Sequence, residues 1–224
     1  MSRSFTLVDT PSLDDLSVYL GRAGRVEGGS VRMIAGSGIL AVYSAILYPS
    51  GLLDESPTVL GLRTFALTDG VGFDVVVPVK SLLDRVTRAR EGAETLISVA
   101  LPTEVSTVTW AGISPPRSGW ARVGETRAAT LAAVGKAGID EVGTAVPGAV
   151  GEAIVRRVRS EVWGRPIDGL EAIPAGAAFA ALSLGFIADQ EDEEVQVFEA
   201  GPWSRLTSSR GHVLVRRRAW SLLG

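Results

Sequence analysis

The stretch Phe73-Asp-Val-Val-Val-Pro-Val-Lys-Ser-Leu-Leu-Asp-Arg-Val-Thr-Arg-Ala-Arg-Glu91 constrains the fold more than any other part of the chain. Val75, Val76 and Val77 form a β-branched run suited to a pleated, buried strand. Pro78 cannot donate to a ladder, and its fixed φ suits the first turn of a helix, so strand gives way to helix there. From that point Val79, Leu82, Leu83 and Val86 recur at helical spacing, while Lys80, Asp84, Arg85, Arg88 and Arg90 lie elsewhere on the wheel. Gly92 is expected to close the unit. A strand feeding an amphipathic helix within a strand-rich region points to an α+β protein. It assigns no chemistry.

The flanking segments extend this pattern. Phe5–Val8 reads as an opening strand, and Ser12 with Asp15 three residues on reads as a capping-box-like helix start. Leu13, Leu16, Leu20 and Ala23 form a helical stripe that should end near Gly24 or Gly28–Gly29. Val31–Ile34, Val59–Leu67, Thr95–Leu101 and Val105–Trp110 read as strands, whereas Ile39–Tyr48 is open to either strand or helix. Ser114-Pro-Pro-Arg-Ser-Gly119 is the clearest linker signal, because consecutive prolines stay extended and cannot join a sheet interior. It separates a mainly antiparallel domain, residues 1–113, from a helix-rich region, residues 120–224. In that region Glu125–Lys136, Gly148–Trp163 and Ala175–Leu184 are expected helices. An acidic loop, Asp189–Glu194, then leads into a meander of Val195–Glu199, Trp203–Thr207 and His212–Arg217.

The order strand-helix-strand-strand-strand followed by strand-helix-strand-strand suggests an internal duplication of residues 4–67 and 73–112. Phe73-Asp-Val-Val-Val-Pro-Val-Lys-Ser-Leu-Leu-Asp-Arg-Val86 resembles the strand-to-helix crossing of bacterial sliding-clamp domains, and Phe5–Val26 is similar to the strand and helix that open such a domain. The resemblance implies paired βαβββ units, with helices lining a DNA channel and sheets facing outward. It also implies that one such domain would need several copies to close a ring, and it offers no counterpart for the helix-rich second half.

Composition narrows the chemistry. With no cysteine there are no disulfides, thiol nucleophiles, iron–sulfur clusters or Cys-ligated zinc. His212 is the single histidine, which argues against a Ser-His-Asp triad or a multi-histidine metal site. A net charge of -3 gives no global attraction to nucleic acid or anionic membrane. Only Lys80 and Lys136 are lysines, an arginine bias that fits a GC-rich coding background. The N-terminus lacks a signal-peptide apolar stretch, so a cytoplasmic location is expected. Ala172–Ala188 is uncharged, but it is rich in Ala and Gly and has no flanking Lys or Arg, so a buried helix is expected and no membrane span.

Three segments could carry function. Gly36-Ser-Gly38-Ile-Leu-Ala41 matches the G-x-G-x-x-G/A phosphate-loop pattern, in which Gly36, Ser37 and Gly38 would let a pyrophosphate approach a helix N-terminus. A hairpin turn between two strands explains the same residues. The C-terminal meander interleaves Trp203, Arg205, Arg210, Arg216, Arg217, Arg218 and Trp220, candidates for nucleic-acid or partner contact, with His212 among them. A charged, solvated sheet edge is the competing account. Asp189-Gln-Glu-Asp-Glu-Glu194 gathers carboxylates without the spacing or turning glycine of a calcium loop. No catalytic set, metal site or cofactor is expected. The reading that follows is a non-enzymatic protein acting as a homo-oligomer or through a protein partner. A nucleic-acid-associated clamp-like module, and a nucleotide or small-molecule enzyme using the Gly36–Ala41 loop, are the alternatives.

Overall fold

The computed structural model describes every residue except 1–2, 28, 50, 52–53, 55, 92–96, 106–107, 113, 147–150, 189–192 and 217–224. Gly92, Gly148, Val150, most of the acidic loop, Arg217, Arg218 and Trp220 therefore lie outside the described residues. The chain divides into two compact units, Met1–Ala45 with Leu62–Ile113, and Ile46–Gly61 with Ser114–Gly224. Among the described residues five α-helices and twelve strands form an α+β fold.

The first unit opens with β1 (Ser4–Leu7) and α1 (Thr10–Glu27), followed by β2 (Ser30–Gly36) and β3 (Ile39–Leu47). After β4 (Thr58–Ala66), the central stretch forms β5 (Phe73–Pro78) and α2 (Val79–Glu91), and β6 (Ile97–Ala100) follows. The sheet order is β5-β2-β3-β4, with β2 antiparallel to both of its neighbours, and β1 pairs antiparallel with β6. Pro78 fits because β5 is the end strand of that order, with β2 as its neighbour among the described strands, so its missing N–H breaks no ladder interior. Alternation buries Val31, Met33 and Ala35 of β2, and the helices bury apolar stripes that include Leu13, Leu16, Leu82 and Val86. Tyr19 ties α1 to β3: its hydroxyl lies 2.8 Å from Ser44 Oγ, and burial raises its pKa, partly offset by the Ser44 hydrogen bond.

Three local expectations change in this unit. The α1 cap is Asp9, whose Oδ1 accepts the Ser12 amide at 2.8 Å, in place of a cap by Ser12 itself. Ile39–Leu47 is a strand. Among the described part of Val105–Trp110, Thr109–Gly112 is a 3₁₀ turn that buries Trp110, and Arg32 donates to the Ala111 carbonyl at 2.7 Å. The rest of Arg32 pairs with Asp74 across the sheet, at 2.8 and 2.6 Å.

The second unit contains β7 (Ala121–Arg127), α3 (Ala128–Ala145), α4 (Glu152–Gly164), β8 (Pro166–Ile167), β9 (Leu170–Pro174), α5 (Ala175–Ser183), β10 (Glu194–Ala200), β11 (Trp203–Ser208) and β12 (Gly211–Arg216). Its strands run in the order β12-β11-β10-β7, each antiparallel to the next. Glu125–Arg127, expected in a helix, belongs to β7, where Arg127 stands opposite Glu194, and α3 begins only at Ala128. The uncharged segment is the end of β9, the buried helix α5 and a turn through Gly185, at φ 73°. No helix among the described residues is long and apolar enough to cross a membrane. Small residues let the helices close on one another: a Cβ on Gly135 would sit 3.2 Å from the Ala178 carbonyl, and one on Gly138 would enter the Trp163 ring. That indole stacks on Phe179 at 4.4 Å.

Candidate interaction site on the C-terminal meander

The meander alternates with a two-residue period. One face, including Val195, Val197, Leu206, Val213 and Val215, is buried in the second unit. The other carries Phe198 and Arg205, which stand directly opposite each other on β10 and β11, with Thr207 and His212 opposite each other on β11 and β12. Thr207 Oγ1 and His212 Nδ1 are 3.1 Å apart. Trp203 shares this face but is only 4% exposed, so it packs the sheet rather than projecting from it.

Arg205 is organised by aromatic groups. Its guanidinium carbon lies 4.5 Å from the Phe198 ring centroid and 4.6 Å from that of Trp120, within cation–π range. Trp120 is fixed in turn by donating its indole N–H to the Pro116 carbonyl at 3.0 Å. Burial pulls the Arg205 pKa below the ordinary arginine value. Its Nε is buried without an acceptor, and it makes no ion pair among the described residues. The nearby Arg122 behaves differently, pairing with Glu125 at 2.5 Å and Glu194 at 3.0 Å. Beside the cluster, Ser114, Pro116, Gly119, Gly201, Pro202 and Trp203 line a shallow hollow of about 500 Å³.

The structure thus brings Trp203 and Arg205 together, while Arg210 and Arg216 are exposed at the β11–β12 turn and the end of β12. Trp120 and Phe198 were missed in the sequence, although a tryptophan following a glycine-containing turn and a phenylalanine on the alternating face of β10 are legible signals. The Gly36–Ala41 segment contains a two-residue hairpin turn, Ser37-Gly38, joining β2 to β3, with Ser37 at φ 52° and Gly38 at φ 74°. A phosphate loop needs a helix N-terminus after the glycines, and here a strand follows. Among the described residues no group of three or more His, Cys, Asp or Glu could hold a metal ion.

Residues 1–112 match the family model described as Domain of unknown function (DUF8010), and residues 115–220 match the one described as Domain of unknown function (DUF8185). Among curated proteins none matches the sequence. Among solved structures the chain is similar to DNA polymerase III subunit beta from Borrelia burgdorferi, at 7% identity and a TM-score of 0.51, over 99% of this chain and 67% of that one. The DNA polymerase sliding clamp from Pseudomonas aeruginosa gives 16% identity and a TM-score of 0.45, over 96% and 64%. Caulobacter crescentus pol III beta gives 10% and 0.48, over 96% and 65%. The chain spans about two thirds of the length of these proteins, somewhat less for the last two. The clamp resemblance read from the sequence is therefore shown as a likeness of fold, carried by the Borrelia comparison. It extends over the helix-rich half, for which no clamp counterpart was expected.

Proposed function

We propose, from the premise that the chain belongs to the family Domain of unknown function (DUF8010), that it acts as a clamp-like, non-enzymatic binding protein whose meander face docks a protein partner. The observation that carries this reading is Arg205, held against Trp120 and Phe198, beside a hollow lined by Pro202 and Trp203. Arginine and aromatic residues concentrate binding energy in protein interfaces. A second copy of the chain is one such partner. The test is photocrosslinking from a benzoylphenylalanine placed at Pro202, compared with one at the exposed Ile139 on α3. One discrete, identified adduct from position 202, lost in Arg205→Gln, is expected. An adduct of twice the chain's mass would make the partner a second copy, and identical patterns from both positions would sink the reading.

A second reading is association with nucleic acid, and the neighbours named as DNA polymerase sliding clamps lend it weight. The observation favouring it lies on the packed helix pair of the first unit, where Arg22, Arg25, Lys80 and Arg85 have no carboxylate partner among the described residues. The carboxylates there are partly spent, Asp14 on Arg90 and Asp15 on Arg63. Duplex binding at low salt is its test.

A further inference from the structure

Residues 217–224, Arg-Arg-Ala-Trp-Ser-Leu-Leu-Gly, follow the last described residue of β12. Register fixes where the chain leaves the sheet: Arg216 stands directly opposite Trp203, the first residue of β11. Directly opposed residues of antiparallel strands lie about 5 Å apart at Cα, so the chain departs beside the Gly201-Pro202 turn that leads into Trp203. That turn and Trp203 supply one part of the lining of the hollow, and Pro116, Ser118 and Gly119 supply another. The departing segment has the composition of an occupant. Trp220, Leu222 and Leu223 are large apolar side chains that gain by leaving water. Trp220 is the fourth residue after Arg216, so an extended chain carries it up to about 13 Å from that point.

We propose that the hollow is capped by this chain's own residues 220–223, with the Trp220 side chain as the group that enters it, and that a partner docks there by displacing this cap. At about 500 Å³ the hollow lies in the size range that holds an organic ligand, so an indole fits. A buried indole needs an acceptor for its N–H, and Ser114 and Ser118 in the lining carry hydroxyl oxygens. Tethering favours this occupant over a free one, because a group on a short linker meets its site at an effective concentration in the millimolar range. The displacement rests on the docking reading above; the seating of Trp220 needs no partner.

Because the chain has no cysteine, a pair of introduced thiols can react only with each other. Ser118→Cys with Ser221→Cys puts one thiol on the lining of the hollow and one next to Trp220 in sequence. Ser209→Cys with Ser221→Cys is the control, since Ser209 is exposed at the β11–β12 turn, at the opposite end of β12 from Arg216. Under mild oxidation of the full chain, followed by intact mass, the 118–221 pair is expected to close within one chain about tenfold faster than the control pair. Adding Trp220→Ala should bring its rate down to the control's. Equal rates for the two pairs overturn the proposal, as does a 118–221 rate that Trp220→Ala leaves unchanged. A disulfide that joins two chains instead of closing within one overturns it as well, since the segment then seats on a second copy. The docking reading fails separately. A favoured 118–221 disulfide with no partner adduct from position 202, even in Trp220→Ala, keeps the cap and overturns the displacement; a partner adduct with equal disulfide rates keeps the docking face and overturns the cap.

Discussion

Asp9 caps α1 by accepting the Ser12 amide, and hydrogen bonds from Ser12 hold its pKa below the ordinary carboxylate value of 3.8. The sign follows directly. A carboxylate whose folded pKa is depressed contributes stability above its unfolded pKa, and that contribution is lost as the pH falls through the folded value. Asp9→Ala should therefore melt at a lower temperature than wild type at neutral pH, and the two thermal midpoints should converge under acid conditions. A midpoint difference independent of pH would assign the loss to something other than this cap. The sequence indicated a helix start here but placed the cap three residues late, because Ser12 has an acidic residue, Asp15, three positions on, whereas Asp9 has only Ser12. At Gly38 the outcome was also undecidable locally. Two adjacent residues with positive φ serve a tight hairpin and a glycine-rich phosphate loop alike, and only the conformation of Ile39–Leu47 separates them.

At the scale of elements, α3 shows how small residues set helix packing. A Cβ on Gly138 would lie 2.2 Å from the Trp163 ring, whereas one on Gly143 of the same helix meets nothing within 4 Å. Gly138→Ala should therefore destabilise the protein by about 1–3 kcal/mol through overpacking. Gly143→Ala should instead stabilise it by roughly 0.5–1 kcal/mol, because alanine loses less backbone entropy in a helix. Urea denaturation of both variants checks this, and equal effects would refute the close approach of α3 to Trp163. The elements with strong apolar periodicity were legible: β5 with α2, the buried α5 and all three strands of the meander. Strand β7 was not, because nearly all of its side chains are exposed, leaving no alternation to read. Strand β9 had a usable signal, since Pro174 precedes α5 as Pro78 precedes α2.

For the molecule as a whole, a clamp-type fold does not by itself bring clamp function. The nucleic-acid reading makes a quantitative demand: affinity for duplex DNA should fall steeply and linearly with the logarithm of salt, with a slope of about -0.9 for each phosphate neutralised. Replacing Lys80 and Arg85 by Glu should flatten that slope by about 2, while Arg205→Gln should leave it unchanged. Fluorescence anisotropy with a labelled duplex measures both, and absence of binding at low salt would remove this reading and leave the meander face as the working surface.

The amino-acid sequence alone determined the α+β class, the strand-to-helix switch at Pro78, the buried character of α5 and the exclusion of thiol chemistry. These follow from periodicity, backbone chemistry and residue inventory, which are local or compositional. Only the tertiary structure decided that Ile39–Leu47 is a strand and that Trp120, Phe198 and Arg205 form one cluster. The members of that cluster lie up to 85 positions apart in sequence, and they meet because β7, β10 and β11 pair in a particular register. Register is a property of strand pairing across the whole sheet, and no short window of sequence contains it.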